Sequence, residues 1–157
     1  MNHITLKQVS YDCTDFIDLC NQLDQFLNLA IGGESKREKY KKFNHLDTMD
    51  YVVIAYDNNI PIGCAALRKY SEKSIEVKRV FVQEKYRGQH IGSTLLKNLI
   101  MYAKTSGYER MLLETGDFLK ASLQLYSSYG FERIPNYGAY AGMTESLCMA
   151  KDIQENS

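Results

Sequence analysis

The stretch Ser74 to Gly92 (SIEVKRVFVQEKYRGQHIG) constrains the fold more than any other part of the chain. Strand formers at Ile75, Val77, Val80, Phe81 and Val82 stop at a charged turn, and Arg87, Gly88, Gln89, His90, Ile91 and Gly92 lead straight into a helical pattern. A strand feeding a loop that feeds a helix start gathers unpaired backbone N–H groups and the positive end of the helix dipole at one point. An anion such as a pyrophosphate fits there. After the turn, Ile91, Leu95, Leu96, Leu99, Ile100 and Ala103 trace one helical face, with Gly107 as the stop. Met111 to Thr115 reads as a short strand, and because the helix before it is a crossover, the two flanking strands are expected to run parallel.

The remaining segments fit around this unit. Ile4 to Val9 alternates weakly, as a first or edge strand does. From Thr14, the spacing of Phe16, Leu19, Cys20, Leu23, Leu27 and Ala30 predicts a helix that Gly32-Gly33 ends. Glu34 to Phe43 carries five basic side chains and reads either as a solvated helix or as a cover over a site that takes acidic substrates. Tyr51 to Tyr56 and Ile60 to Leu67, joined by Asp57-Asn58-Asn59, form a predicted hairpin, and the polar turn Ser71 to Ser74 leads into the strand Ile75 to Val82. Asp117 can cap a helix over Phe118 to Tyr129 that ends at Gly130, and Phe131 to Ile134 and Ser146 to Ala150 make a last strand pair. The loop between them, PNYGAYAG, is expected to expose Tyr137 and Tyr140. The order β-α-α-β-β-β-α-β-α-β-β predicts an α/β fold, a mixed sheet with helices on both faces.

At 157 residues, 45% of them hydrophobic, the chain suits one domain over residues 1–157. Lys plus Arg equals Asp plus Glu at 19 each, so no global field favours nucleic acid or an anionic membrane, and any anion binding must be local. No apolar run reaches the roughly 18 residues of a membrane span, and the start of the chain lacks the apolar core of a signal peptide, so a cytoplasmic location is expected. Cys13, Cys20, Cys64 and Cys148 lack metal-ligand spacing and read as buried thiols, with no metal expected.

Three motifs in register carry a resemblance: E-x-x-R-h-h-V at Glu76 to Val82 (h, hydrophobic), R-G-x-x-I-G at Arg87 to Gly92, and L-Y-x-x-x-G-F at Leu125 to Phe131. In these motifs, and over nearly its whole length, the chain resembles the GNAT superfamily of acetyl-CoA-dependent N-acetyltransferases. The resemblance implies a three-layer α/β/α fold whose mixed, mostly antiparallel sheet is splayed between its central parallel strands. It also implies direct attack of a primary amine, on a small molecule or a peptide, on the thioester of acetyl-CoA. On that footing, backbone N–H groups from Arg87 through Gly88, Gln89, His90, Ile91 and Gly92 to Ser93 cradle the diphosphate, with the Arg87 guanidinium nearby. The pantetheine arm pairs with Val80, Phe81 and Val82, which requires that strand to part from Met111 to Thr115. Glu76 is the first candidate for general base, with Glu114 as the alternative; the Val82 N–H faces the oxyanion, and Tyr126 is the general acid.

The family usually carries Gly where this chain has His90, so the side chain there either crowds the diphosphate and strains the backbone or points outward and leaves the N–H free. Tyr137 and Tyr140 either wall the acceptor site or pack on the sheet edge. A non-catalytic acetyl-CoA-binding module of the same fold is the competing function, and a homodimer through a strand edge is compatible with the family.

Overall fold

A computed structural model describes residues 3–31 and 45–154. The segment Glu34 to Phe43 and the expected stop at Gly32-Gly33 lie outside the described residues. The elements are β1 (Ile4–Val9), α1 (Thr14–Ile31), β2 (Tyr51–Asp57), β3 (Ile60–Lys69), β4 (Ser74–Val82), α2 (Ile91–Thr105), β5 (Arg110–Gly116), α3 (Lys120–Ser128), β6 (Glu132–Ile134) and β7 (Ser146–Asp152). The strands are hydrogen-bonded in the order β1-β2-β3-β4-β5-β7-β6. β4 and β5 are parallel, whereas β1–β2, β2–β3, β5–β7 and β6–β7 are antiparallel, which makes the sheet mixed. Two compact units share β4 and α2: Met1–Arg68 with Lys78–Leu99, and Lys69–Val77 with Ile100–Ser157.

In the first unit the β2–β3 hairpin closes at Asp57↔Ile60, with Asn58 at φ +57°, a left-handed value that Asn tolerates better than most residues. Pro61 sits opposite Tyr56, next to the register shift between Ala55 and Tyr56, where a missing N–H costs little. Phe16, Leu19, Cys20 and Leu23 of α1 pack on Val52, Ile54, Cys64, Ala66 and Phe81, so the predicted helical face is buried as far as Leu23, half-buried at Leu27 and exposed at Ala30. Gly63 admits the neighbouring backbone, since a Cβ there would lie 2.9 Å from the Phe81 carbonyl oxygen.

In the second unit the parallel ladder consists of Ser74↔Arg110, Ile75↔Met111 and Glu76↔Leu112. It stops there, while β5 continues to Gly116 paired along its length with β7. α3 begins later than predicted, at Lys120 with Leu119 as N-cap, and no side chain caps it. Asp117 is instead held in the preceding turn, where its N–H donates to the Glu145 carbonyl and the Leu119 N–H donates to the Gly116 carbonyl.

The helix stops are the ones expected, and they share one geometry. Gly107 (φ +87°) donates to the Lys104 carbonyl while Tyr108 donates to that of Ala103; Gly130 (φ +89°) donates to Ser127 while Phe131 donates to Tyr126. Each is a Schellman cap, in which the left-handed residue lets two N–H groups satisfy the last carbonyls of the helix.

Candidate active site

The loop before α2 has the backbone of an anion cradle. Gly88 has φ +81° and His90 φ +64°, and the first intrahelical bond runs from the Thr94 N–H to the His90 carbonyl at 3.0 Å. The amides of Ile91, Gly92 and Ser93 precede that bond, so the helix offers them no acceptor, and they stand at the positive end of its dipole. Gly88, Gln89 and His90 are exposed, Gly92 and Ser93 half-buried, and Ile91 anchors the turn in the core. Arg87 closes the turn: its Nε donates to the Val82 carbonyl at 3.0 Å, and its guanidinium lies 4.7 Å from the ring centroid of Phe26 on α1. Of the β4 residues upstream, Phe81 is buried, and Val80 and Val82 are half-buried.

The left-handed φ of His90 shows why this position favours Gly, and the His90 side chain escapes crowding by pointing into solvent. His90→Gly is therefore expected to raise stability by about 0.5–1 kcal/mol, the αL strain relieved less the backbone entropy of Gly, and the thermal midpoint by about 1–4 °C. A lower midpoint would mean that the imidazole makes a compensating contact.

A second group of side chains, the two candidate bases among them, gathers on one face in the second unit. Glu76 pairs in register with Leu112, Glu114 lies two residues along the same strand, and Cys148 pairs opposite Glu114. The two-residue period of a strand places all four on one side of the sheet. Glu76 is only 1% exposed, so it is not a surface carboxylate. The Tyr137 hydroxyl donates to Glu76 Oε2 at 2.5 Å, and burial followed by the Glu76 charge holds the Tyr137 proton far above the usual phenol range. Glu114 is half-buried.

Tyr126 lies on α3, 6% exposed, with its ring edge-on to Phe131 at 5.9 Å between centroids. These two residues are also the paired positions of the Schellman cap, where an apolar contact between the third residue from the helix end and the second residue past it is usual. The L-Y-x-x-x-G-F motif thus has a complete structural explanation as a helix stop. Its hydroxyl is a separate matter: no hydrogen bond from it forms within the described residues, and burial and then the charge of Glu114 push its pKa upward.

Two features differ from the sequence reading. The loop tyrosines turn inward, Tyr140 being 5% exposed and Tyr137 half-buried. The cause is a three-ring stack, Tyr70–Tyr137–Tyr140, with centroids 5.2 and 5.6 Å apart and near-perpendicular planes, on a loop held from within by Asn136. Arg79, quoted within the strand motif but given no role, has φ +56° in mid-strand and a buried guanidinium that donates to Asp24 and to the Cys20 carbonyl, both at 2.9 Å. The run of five consecutive buried residues from Ile75 to Arg79 marks β4 as buried on both sides, but Lys78 and Arg79 hide that pattern in the sequence.

A model of the acetyltransferase (GNAT) family matches residues 18–131. The chain is 29% identical over 161 residues to the IAA acetyltransferase of Azospirillum brasilense, covering 98% of this chain and 100% of that protein. Among solved structures, it resembles the PaiA N-acetyltransferase of Thermoplasma acidophilum in complex with coenzyme A, with a TM-score of 0.75, 20% identity and coverage of 96% and 99% of the two chains. It also resembles a GNAT family acetyltransferase of Elizabethkingia anophelis with acetyl-CoA bound, with a TM-score of 0.69, 25% identity and coverage of 97% and 99%.

Proposed function

The chain belongs to the acetyltransferase (GNAT) family, and on that premise we propose that it transfers an acetyl group from acetyl-CoA to a primary amine of a small molecule or peptide, by direct attack in a ternary complex. In this reading residues 1–157 act as one N-acetyltransferase domain. The observation that carries the proposal is the turn at Gly88 and His90, left-handed at both residues, which opens directly on the unsatisfied amides of α2. Those amides and the Arg87 guanidinium bind the diphosphate, each contact contributing on the order of 0.3–2 kcal/mol, so that several act together. Val80, Phe81 and Val82 offer main-chain groups to the pantetheine amides, and the Val82 N–H donates to the oxyanion. An alkylammonium of pKa near 10 is almost wholly protonated at pH 7, so the acceptor must lose a proton before it can attack. Glu76 takes that proton, with Glu114 on the same sheet face as the alternative. Tyr126, which keeps its proton at neutral pH, protonates the departing thiolate.

The test is release of free thiol from acetyl-CoA in the presence of a panel of arylalkylamines, polyamines and peptides with free amino termini. Acceptor-dependent release with a mass gain of one acetyl group on the amine is expected. Tight acetyl-CoA binding without release for any amine would overturn the proposal in favour of a cofactor-binding module.

A further inference from the structure

We infer that Phe26 of α1 is a positioning residue for Arg87, and that through it α1 sets how tightly acetyl-CoA is held. The inference rests on the proposed reading of Arg87 as a ligand of the diphosphate. A guanidinium has an Nε–H edge, a flat face and an end of two nitrogens. In Arg87 the edge and the face are occupied: Nε donates to the Val82 carbonyl at 3.0 Å, and Cζ lies 4.7 Å from the centroid of the Phe26 ring. Arg87 makes no further hydrogen bond among the described residues, so Nη1 and Nη2 form the end it offers, and their spacing matches two oxygens of a phosphate. An exposed arginine ordered only when its anion arrives loses rotamer freedom at that moment, and one already held loses less.

The ring is brought to Arg87 by contacts that do not involve Arg87. Arg79, Gln83 and Arg87 follow one another at intervals of four residues, and each meets α1. Arg79 donates to Asp24 and to the Cys20 carbonyl, both at 2.9 Å, and Gln83 Nε2 donates to Gln22 Oε1 at 3.0 Å. Phe26 lies one helical turn beyond Gln22, so those ties fix where its ring stands. It sits at the margin of the buried face of α1, three residues past Leu23, and is 36% exposed. A leucine there would cover the same margin, but only an aromatic ring carries the negative face that attracts a cation.

The experiment titrates acetyl-CoA into wild type, Phe26→Leu, Phe26→Tyr, Arg87→Met and the double variant Phe26→Leu/Arg87→Met. Titrations are made at low and at high salt, at a temperature where thermal unfolding shows every protein folded. Arg87→Met is expected to weaken binding about 10-fold and Phe26→Leu about 3-fold, whereas Phe26→Tyr, which keeps the ring, should stay within about twofold of wild type. The double variant should bind no more weakly than Arg87→Met alone, because the ring acts through the guanidinium. Wild-type affinity should fall as salt is raised, and the fall should be smaller in Phe26→Leu, as in Arg87→Met, since a loosely held cation contributes less of the attraction that salt screens. If Arg87→Met weakens binding while Phe26→Leu binds as wild type does, the positioning role is overturned and the diphosphate reading of Arg87 stands. If Arg87→Met binds as tightly as wild type, the reading of Arg87 is itself at fault and the inference falls with it. Losses that add in the double variant, or a Phe26→Tyr protein as weak as Phe26→Leu, would show that Phe26 supports the fold and not Arg87, and would overturn the inference.

Discussion

Replacing Tyr126 with Phe is expected to lower kcat roughly 10²-fold, about 2.7 kcal/mol of transition-state stabilisation, while the thermal midpoint moves by no more than about 1 °C. The substitution separates the helix-stop role that the structure shows for this residue from the general-acid role proposed for it. As the third residue from the end of α3, Tyr126 accepts the Phe131 N–H through its carbonyl and packs its ring on Phe131, and Phe at this position would do both equally well. Its hydroxyl makes no hydrogen bond within the described residues, so deleting it leaves no protein partner there unsatisfied. A helix-stop role therefore predicts an unchanged enzyme. A general acid predicts the loss, because the leaving thiolate would depart without a proton donor. The raised pKa fixes the pH behaviour: burial and the Glu114 charge keep the phenol protonated at and above the ordinary value of 10.0, so the loss should be uniform from pH 6 to pH 9, a range chosen well below about 10. Acetyl-CoA affinity should stay within about twofold. A wild-type kcat for the variant would assign the motif to packing alone.

The parts legible in the sequence are those where one physical rule dominates. The faces of α1 and α2 follow from apolar spacing, the β2–β3 hairpin from Asp57-Asn58-Asn59, and the helix stops at Gly107 and Gly130 from residues able to take a left-handed φ. The turn before α2 was legible for the same reason, since Gly88 and the start of α2 are adjacent in the chain. What escaped depends on long-range contacts. Nothing near Tyr137 in sequence points to Glu76, 61 positions earlier, and a glycine-flanked tyrosine reads as exposed until Tyr70 and Tyr140 stack around it. Asp117 looked like a cap because Asp commonly is one, but its N–H is taken by the Glu145 carbonyl and the helix starts two residues later than expected. Arg79 was hidden most thoroughly, because a charged residue in a strand reads as solvent-facing and its partners come from α1.

The largest loss of stability is expected from removing the partner of that arginine. Asp24→Ala should cost about 2–3 kcal/mol and lower the thermal midpoint by about 5–10 °C, whereas Arg79→Met, which deletes far more contacts, should cost about 1 kcal/mol or less. The asymmetry follows from where each charge sits. The Arg79 side chain is 3% exposed, and its Nε has no partner among the described residues, so the guanidinium depends on Nη2, which donates to Asp24 and to the Cys20 carbonyl. Asp24 is 46% exposed and open to water. Taking away Asp24 strands a desolvated cation; taking away Arg79 leaves a carboxylate that water can reach. The cost of the first falls below that of a fully buried pair, about 3–5 kcal/mol, because the Asp24 side of the pair is already half in solvent. Arg79 also holds φ +56° in mid-strand, a conformation that persists only while its surroundings enforce it. The left-handed residue precedes Val80, Phe81 and Val82, so the anchor to α1 also fixes how that stretch of β4 presents its main chain. Asp24→Ala should accordingly weaken acetyl-CoA binding about 3–10-fold at temperatures where the protein remains folded, an effect of about 0.7–1.4 kcal/mol. A midpoint lowered more by Arg79→Met than by Asp24→Ala would show that packing of the arginine stem, and not the buried charge, dominates at this position.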